Sequence, residues 1–543
     1  MRNIIYRNFL KLKENTNNVI TFYKGKSKIC KSFADFHNDV DLAISRLNYL
    51  KQEYNCNRIG ICGMISYDWI TLDFACVIGG FQSVAIPESF SKEQVVKVLD
   101  EINVEVIICD YTLKDKLSDI HSNCYFFNSD PVSKEKFFNQ LPLIKNSEEK
   151  NRIPENYSIG FSSGTSNKVK SINLVFREAK RENKLNFIKK IRLYVRYKRS
   201  FWSNKDNKII IFMPFSHIQQ RDFFRMALFN KFDIVLSDPA NCLKHMILEK
   251  PNIMVSVPVF YEAIAYRIKE KLKSLKGFKL FAFNIFNWLG INKLRNKHPL
   301  KRMFSNYLFH DIRKLYGGRA DYFVTGSAPV KQDVLRTFYS VGIRIYEGYG
   351  QSEVGNIAMN DERHFRIGSV GKPLQEVKIS DESEILIKYD DERHKNQKDI
   401  LTINDGYIHT GDLGYIDKGG YLYIKGRKDD VIIMQNGKKV YPSKIEDYLN
   451  NFEEIIDSLV YTMDNNKLYA LLVCKKSIKS DHQPLNETIK SVNNIIASYE
   501  QIGFFQLIEE PFSIENGMLT STFKKKRSAI VEKYKKGSFI QIN

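Results

Sequence analysis

The chain lacks the marks of an exported or membrane-spanning protein. Nowhere do 18 apolar residues run together, and the N-terminus "MRNIIYRNFLKLKENTNN" has neither an uninterrupted apolar stretch nor a small-residue cleavage site. No spanning helix, no secretory leader and a cytoplasmic protein are therefore expected. Its eight cysteines, at 30, 56, 62, 76, 109, 124, 242 and 474, include no CxxC pair. They read as buried thiols of a reducing compartment, not as a disulfide or zinc framework. Internal repeats are missing, as is any RNA- or DNA-binding motif, so nucleic acid is not an expected partner. Acidic residues are in deficit: 62 Asp and Glu against 83 Lys and Arg leave a net charge of +21, which implies an anionic partner.

What is present is ample for burial. Of 543 residues 43% are hydrophobic and 13% aromatic, too long a chain for one core and too apolar for disorder. From 32 to about 110, helical patterns alternate with short apolar strands: "SFADFHNDVDLAISRLNYL", "RIGICGM", "YDWITLDFACVIGG", "QSVAIPE", "SKEQVVKVLDEI" and "VEVIICD". That order predicts a parallel, helix-covered sheet, with ligands at the carboxyl ends of its strands. The alternation resumes near 157 and again at "ADYFVTGSAPVKQDVLRTFYSVG". After about 400 the pattern changes to hairpins, with turns at Asp417–Gly420 and Asn436–Gly437. The last 115 or so residues read as a separate small α+β domain joined near "KGRKDD", giving domains 1–427 and 428–543.

Two segments are strongly basic, 168–199 and 267–304; the second sets Phe, Leu, Ile and Trp between lysine-rich flanks. Such a composition suits peripheral contact with an anionic membrane surface, and a core helix with a solvated basic face fits it as well.

Three clusters could carry chemistry. In "YSIGFSSGTSNKVKS" a strand opens into Ser163, Gly164, Thr165 and Ser166, with Lys170 following; hydroxyls, exposed amides and a lysine suit phosphate oxygens. The GxxxxGK[ST] spacing is absent, so this is not a P-loop. In "IYEGYGQSEVG", Glu353 follows a tight turn beyond a strand, where a carboxylate could hold Mg²⁺ against phosphate. In "HTGDLGYIDKGGYLYIKGRKDD", Asp412 could accept from a ribose diol and Arg427 could donate to ribose or phosphate. Each taken singly also reads as structural.

Their order is more specific. "SSGTS…K", "GYGQSE", "TGD", "GRKDD…NGKKVYPSKIE" and "LTSTFKKKR" together resemble the adenylate-forming superfamily of acyl-CoA synthetases, adenylation domains and luciferases, over nearly the whole chain. "MPFSHIQQR", "VSVPVFYEAI", "YGGRADYFVTGSAPV" and "NGMLTSTFKKKR" are most similar to its long-chain fatty acyl-CoA synthetase branch. The resemblance implies a large α/β N-terminal domain of helix-covered sheets with a small barrel-like part, and a small α+β C-terminal domain on a hinge. It further implies ATP- and Mg²⁺-dependent activation of a carboxylic acid as its adenylate, then transfer to coenzyme A.

By motif match, Ser163, Gly164, Thr165 and Ser166 would cradle the β- and γ-phosphates, with Lys170 nearby. Gly326, Ser327 and Ala328 would flank adenine together with Glu347, Gly348 and Tyr349. Ser352 and Glu353 would face phosphate and Mg²⁺, Asp412 and Arg427 the ribose. His217 would line the acyl pocket and Asp429 would be the hinge. Lys524 would bridge carboxylate and α-phosphate, although Lys525 and Lys526 leave that register open by one or two positions. The phosphate loop departs from the family pattern, with Asn167 and Val169 where glycine and proline are usual. Asn tolerates a left-handed turn, and losing proline costs about 0.4–1 kcal/mol through the unfolded chain, so a working site with weakened ATP affinity is expected. Two other readings stay open: a carrier-protein phosphopantetheine as the acceptor, or a degenerate, non-catalytic module that binds nucleotide, acyl chain or membrane.

Overall fold

The computed structural model describes residues 2–120, 123–127, 136–144, 153–154, 156–162, 170–175, 206–274, 276–277, 280–281, 284, 309–319, 322–326, 328, 330–351, 353–452, 454–475, 483–513, 516–520 and 524–542. Sequence alternation becomes structure through local signals. The helix Phe33–Tyr54 opens with a capping box between Ser32 and Asp35, and its chain exits through Asn55 at φ 50°. Ser91 and Gln94 do the same for the helix Lys92–Ile102, which closes on Asn103. Between these helices, β-branched and cysteine-rich strands bury both faces, as in Val106–Asp110, where every residue is buried.

Two large sheets result. One orders the strands Cys124–Phe127, Val106–Asp110, Arg58–Cys62, Gln82–Ile86, Asn156–Ser162 and Lys170–Val175, parallel except for the last pair. The other has a parallel centre of Ile345–Gln351, Tyr322–Thr325, Ile253–Ser256, Lys208–Ile211, Asp233–Leu236 and Val19–Lys24. Antiparallel strands flank it at both edges, Gly355–Met359 with Lys372–Pro373 on one side and Ser27–Ser32 on the other. Tyr67–Gly79, Phe33–Tyr54 and Ile218–Phe229 fill the space between the sheets with one core that includes Trp69, Phe36, Phe74 and Phe224. Each sheet packs a further core on its outer face.

The hairpin Tyr407–Ile416 with Leu422–Arg427 pairs with Glu384–Lys388 and Val377–Ile379 in a separate small sheet. The change of pattern near 400 thus begins inside this sheet, ahead of the C-terminal unit. Beyond it, Ile455–Thr462, Leu468–Cys474, Ile502–Ile508 and Ile540–Gln541 form a four-stranded sheet with two cores drawn wholly from residues 432–542. All eight cysteines are unpaired; six are buried as expected, but Cys30 is exposed on the edge strand Ser27–Ser32 and Cys474 is half-buried. No helix among the described residues is long and apolar enough to cross a membrane. The basic segments 168–199 and 267–304 fall mostly outside the described residues.

Candidate active site

A cleft of about 3490 Å³ opens where the carboxyl ends of the parallel strands meet the small sheet and the C-terminal unit. Strand Tyr322–Thr325 delivers Gly326 and Ala328 to it, and Ile345–Gln351 delivers Glu347, Gly348 and Tyr349. Backbones approach closely here. A Cβ on Gly350 would stand 2.5 Å from the carbonyl oxygen of Gly355, and one on Gly326 3.2 Å from that of Gly348. His217 half-caps the helix Ile218–Phe229 without a side-chain cap bond and borders the same cleft.

Asp412 is the hub of the far wall. Its carboxylate accepts from the Tyr349 hydroxyl at 2.6 Å, from Gln351 Nε2 at 2.7 Å and from Arg427 Nη1 at 3.2 Å. Asp412 and Arg427 are direct cross-strand partners, so strand register alone sets this ion pair. Burial opposes the Arg427 charge, yet the Asp412 carboxylate outweighs it and raises the guanidinium above its ordinary value. Gln351 also donates to the Thr410 carbonyl at 2.8 Å, tying the "GYGQ" turn to the "HTGD" strand.

Glu347 is buried on this wall, 8% exposed, and burial pushes its carboxyl up to about 8, with only the Gly368 amide acting against that. It is therefore neutral over most of the physiological range.

The C-terminal unit closes the cleft with Lys524. Its side chain is open to the cleft's solvent while protein walls surround it, and this enclosure lowers its pKa from the ordinary lysine value. The carboxylates of Asp412 and Glu353 oppose that lowering, and the Arg427 charge adds to it. Lys524 therefore stands within electrostatic reach of three residues of the large part. Its neighbours differ. Lys525 is held by Asp457 at 2.7 Å and Glu446 at 3.7 Å, and Arg527 grips Glu446 through bonds of 2.6 and 3.1 Å. Lys524 is itself fixed by its amide donating to Thr520 Oγ1 at 3.0 Å.

The structure thus brings together Gly326, Ala328, Glu347, Gly348, Tyr349, Glu353, Asp412, Arg427, His217 and Lys524 around one cleft. Asp429 stands at its rim, 3.9 Å from Arg427. Ser163, Gly164, Thr165, Ser166, Ser327 and Ser352 lie outside the described residues, with Asn167 and Val169; Lys170 opens the strand Lys170–Val175. Sequence reasoning missed Gln351 as a second donor to Asp412, although it sits in the quoted turn. It also missed Glu446 as an anchor, because an acidic residue on an amphipathic helix ordinarily faces water.

A large doubly sheeted α/β part with its cleft at the strand ends, covered by a small α+β unit, is the fold of adenylate-forming enzymes. An anthranilate–CoA ligase, AuaEII, solved with anthranoyl-AMP superposes over 98% of this chain and 97% of its own at a TM-score of 0.73 and 17% identity. The chain belongs to the AMP-binding enzyme family, whose model matches residues 13–390, with the AMP-binding enzyme C-terminal domain matching 429–537. Among curated proteins, the long-chain-fatty-acid–CoA ligase FadD15 of Mycobacterium bovis is 26% identical over 88% of this chain and 86% of its own length. The long-chain-fatty-acid–CoA ligase 5 of Rattus norvegicus is 23% identical over 86% and 78%.

Proposed function

We propose that the protein is an AMP-forming long-chain fatty acid–CoA ligase. The fatty acid carboxylate attacks the α-phosphorus of ATP, pyrophosphate leaves, and the thiol of coenzyme A then displaces AMP from the acyl-adenylate. The observation that carries this reading is Lys524, brought from the C-terminal unit to within the electrostatic reach of Asp412, Arg427 and Glu353. Negative charge gathers around phosphorus in the first step, so a cation positioned there stabilises the transition state.

In this reading Asp412 and Arg427 hold the ribose, Gly326, Ser327 and Ala328 flank adenine with Glu347, Gly348 and Tyr349, and His217 lines the acyl pocket. Ser163, Gly164, Thr165 and Ser166 cradle the outer phosphates with Lys170, and Ser352 helps Glu353 to face them. Among the described residues no group of three or more His, Cys, Asp or Glu is arranged to hold a metal. Glu353, which lines the cleft, is the carboxylate that would hold a Mg²⁺, and the ion would supply charge neutralisation at the phosphates.

We place the domain boundary at 427/428 and the hinge at Asp429. Lys428 is anchored to the large part, its ammonium 2.9 Å from Glu382 and 3.3 Å from Glu384, and its amide 2.7 Å from the Gly411 carbonyl. Asp430 faces the small part, 3.9 Å from Arg527. Asp429 stands between them with its side chain 85% exposed. Rotation there withdraws Lys524 after adenylation. Unpaired thiols support a cytoplasmic enzyme, and the basic, aromatic-rich segment 267–304 suits peripheral membrane contact.

The test is pyrophosphate release with ATP, Mg²⁺ and acids of graded length, with CoA and a panel of acyl carrier proteins as acceptors. Release that depends on a long-chain acid, with acyl-CoA as product, is expected. No release with any acid from C6 to C18 would sink the proposal.

A further inference from the structure

We infer that Arg221 is a positioning residue that fixes the strand feeding the phosphate loop against the helix carrying His217, and so sets the distance between the ATP and acid sites. This rests on the ligase reading above. Arg221 is fully buried, one helical turn after His217. Its Nη1 donates to Asp73 Oδ1 at 3.0 Å and to Ser158 Oγ at 2.7 Å. Ser83 completes the cluster, donating at 2.7 Å to Asp73 and standing 2.8 Å from Ser158. Four elements converge: Asp73 on helix Tyr67–Gly79, Ser83 on strand Gln82–Ile86, Ser158 on strand Asn156–Ser162 and Arg221 on helix Ile218–Phe229.

The two strands belong to one large sheet, whereas the Arg221 helix follows strand Lys208–Ile211 of the other. Arg221 therefore ties the two sheets together beneath the cleft. Tyr157 and Phe161, on either side of Ser158 and Gly160, line the cleft together with His217 and Ile218; in the ligase reading the first pair lies toward the phosphates and the second toward the acyl chain. Strand and helix touch directly: a Cβ on Gly160 would stand 3.1 Å from Ile218 and 3.7 Å from Arg221 Nη2.

Energetics favour position over stability as the cluster's contribution. Arg221 Nε and Nη2 are buried with no hydrogen-bond partner among the described residues, and the guanidinium's other neighbour is the Trp69 ring, 5.8 Å away, so burying this ion pair is weak evidence of a stabilising role. Apolar packing would hold these elements together equally well but without direction, whereas a guanidinium fork fixes angle and register. A shift of about 1 Å between reacting groups can cost 10²-fold in rate.

The test is the double variant Arg221→Met with Asp73→Leu, which removes both charges and leaves Ser83 and Ser158 bonded to each other. The expected result is an unfolding midpoint unchanged or raised, with single-turnover pyrophosphate release slowed at least about tenfold. Thiolation of supplied acyl-adenylate, which needs no contact with the outer phosphates, should stay within about twofold of wild type. Unchanged pyrophosphate release, or an equal fall in both half-reactions, overturns the inference. If the double variant does not fold, Ser158→Ala removes one Arg221 bond and keeps the ion pair; adenylation should fall about threefold with thiolation unchanged, and equal rates overturn the inference. Wild type is assayed first: if it releases no pyrophosphate with any acid, the ligase reading fails and takes this inference with it.

Discussion

Replacing Lys524 with methionine keeps the aliphatic stem and removes the charge that the C-terminal unit brings to Asp412, Glu353 and Arg427. At an effective dielectric of about 20, a unit charge about 4 Å from a developing oxyanion is worth about 4 kcal/mol. Enclosure costs Lys524 part of its charge stabilisation, so a net loss of about 3–4 kcal/mol is expected, or 10²–10³ in the adenylation rate. Single-turnover pyrophosphate release with a saturating long-chain acid reads that rate. Thiolation of supplied acyl-adenylate serves as the control and should be spared. Lys525→Met provides the contrast, because Lys525 is committed to Asp457 and Glu446. The half-buried Asp457 loses its cation while Glu446 keeps Arg527, so this variant should lose about 1.5–3 kcal/mol of stability and melt earlier while adenylating normally once folded. The lowered pKa adds a signature: Lys524 is charged below its folded pKa and loses its charge as pH rises through it. The alkaline limb of kcat/KM should therefore fall below the ordinary lysine value of 10.5 in wild type and vanish in Lys524→Met. A Lys524→Met enzyme that adenylates at the wild-type rate, or a Lys525→Met enzyme that loses adenylation alone, would refute the reasoning.

Three further outcomes are expected. Glu347, raised to about 8, keeps its proton in the folded state while the unfolded chain releases it near the ordinary value of 4.5, so stability declines across that interval and levels off above it. Glu347→Gln carries no such proton and should be more stable at pH 7 by about 3 kcal/mol, with no difference below pH 4; thermal unfolding against pH checks this. Asp412→Ala removes the acceptor shared by Tyr349, Gln351 and Arg427, and should weaken ATP binding by about 10- to 100-fold in calorimetric titration, at 1.5–3 kcal/mol for hydrogen bonds to a charged group. Asp429→Pro stiffens the pivot and should retain pyrophosphate release while slowing acyl-CoA formation at least tenfold; equal effects on both steps would move the hinge elsewhere.

Much of the cleft was legible because its residues come in short, contiguous motifs. "GYGQSE" and "HTGD" each place a turn and a carboxylate at the end of a strand, and period-2 and period-3.6 apolar patterns already gave the parallel alternation from Phe33 to Asp110. Lysine register was not legible. Lys524, Lys525 and Lys526 are chemically identical in the chain, and only the fold turns Lys524 toward Asp412 while sealing Lys525 against Glu446 and Asp457. Nor could the sequence show that Glu347 is buried away from any cation among the described residues, or that Arg221, Asp73, Ser83 and Ser158, up to 148 residues apart, share hydrogen bonds. Sequence by itself determined the class of chemistry, because motif order and residue type survive without coordinates. Tertiary structure alone decided which of several like residues carries the charge, since desolvation and Coulomb energy depend on distances the chain does not encode locally.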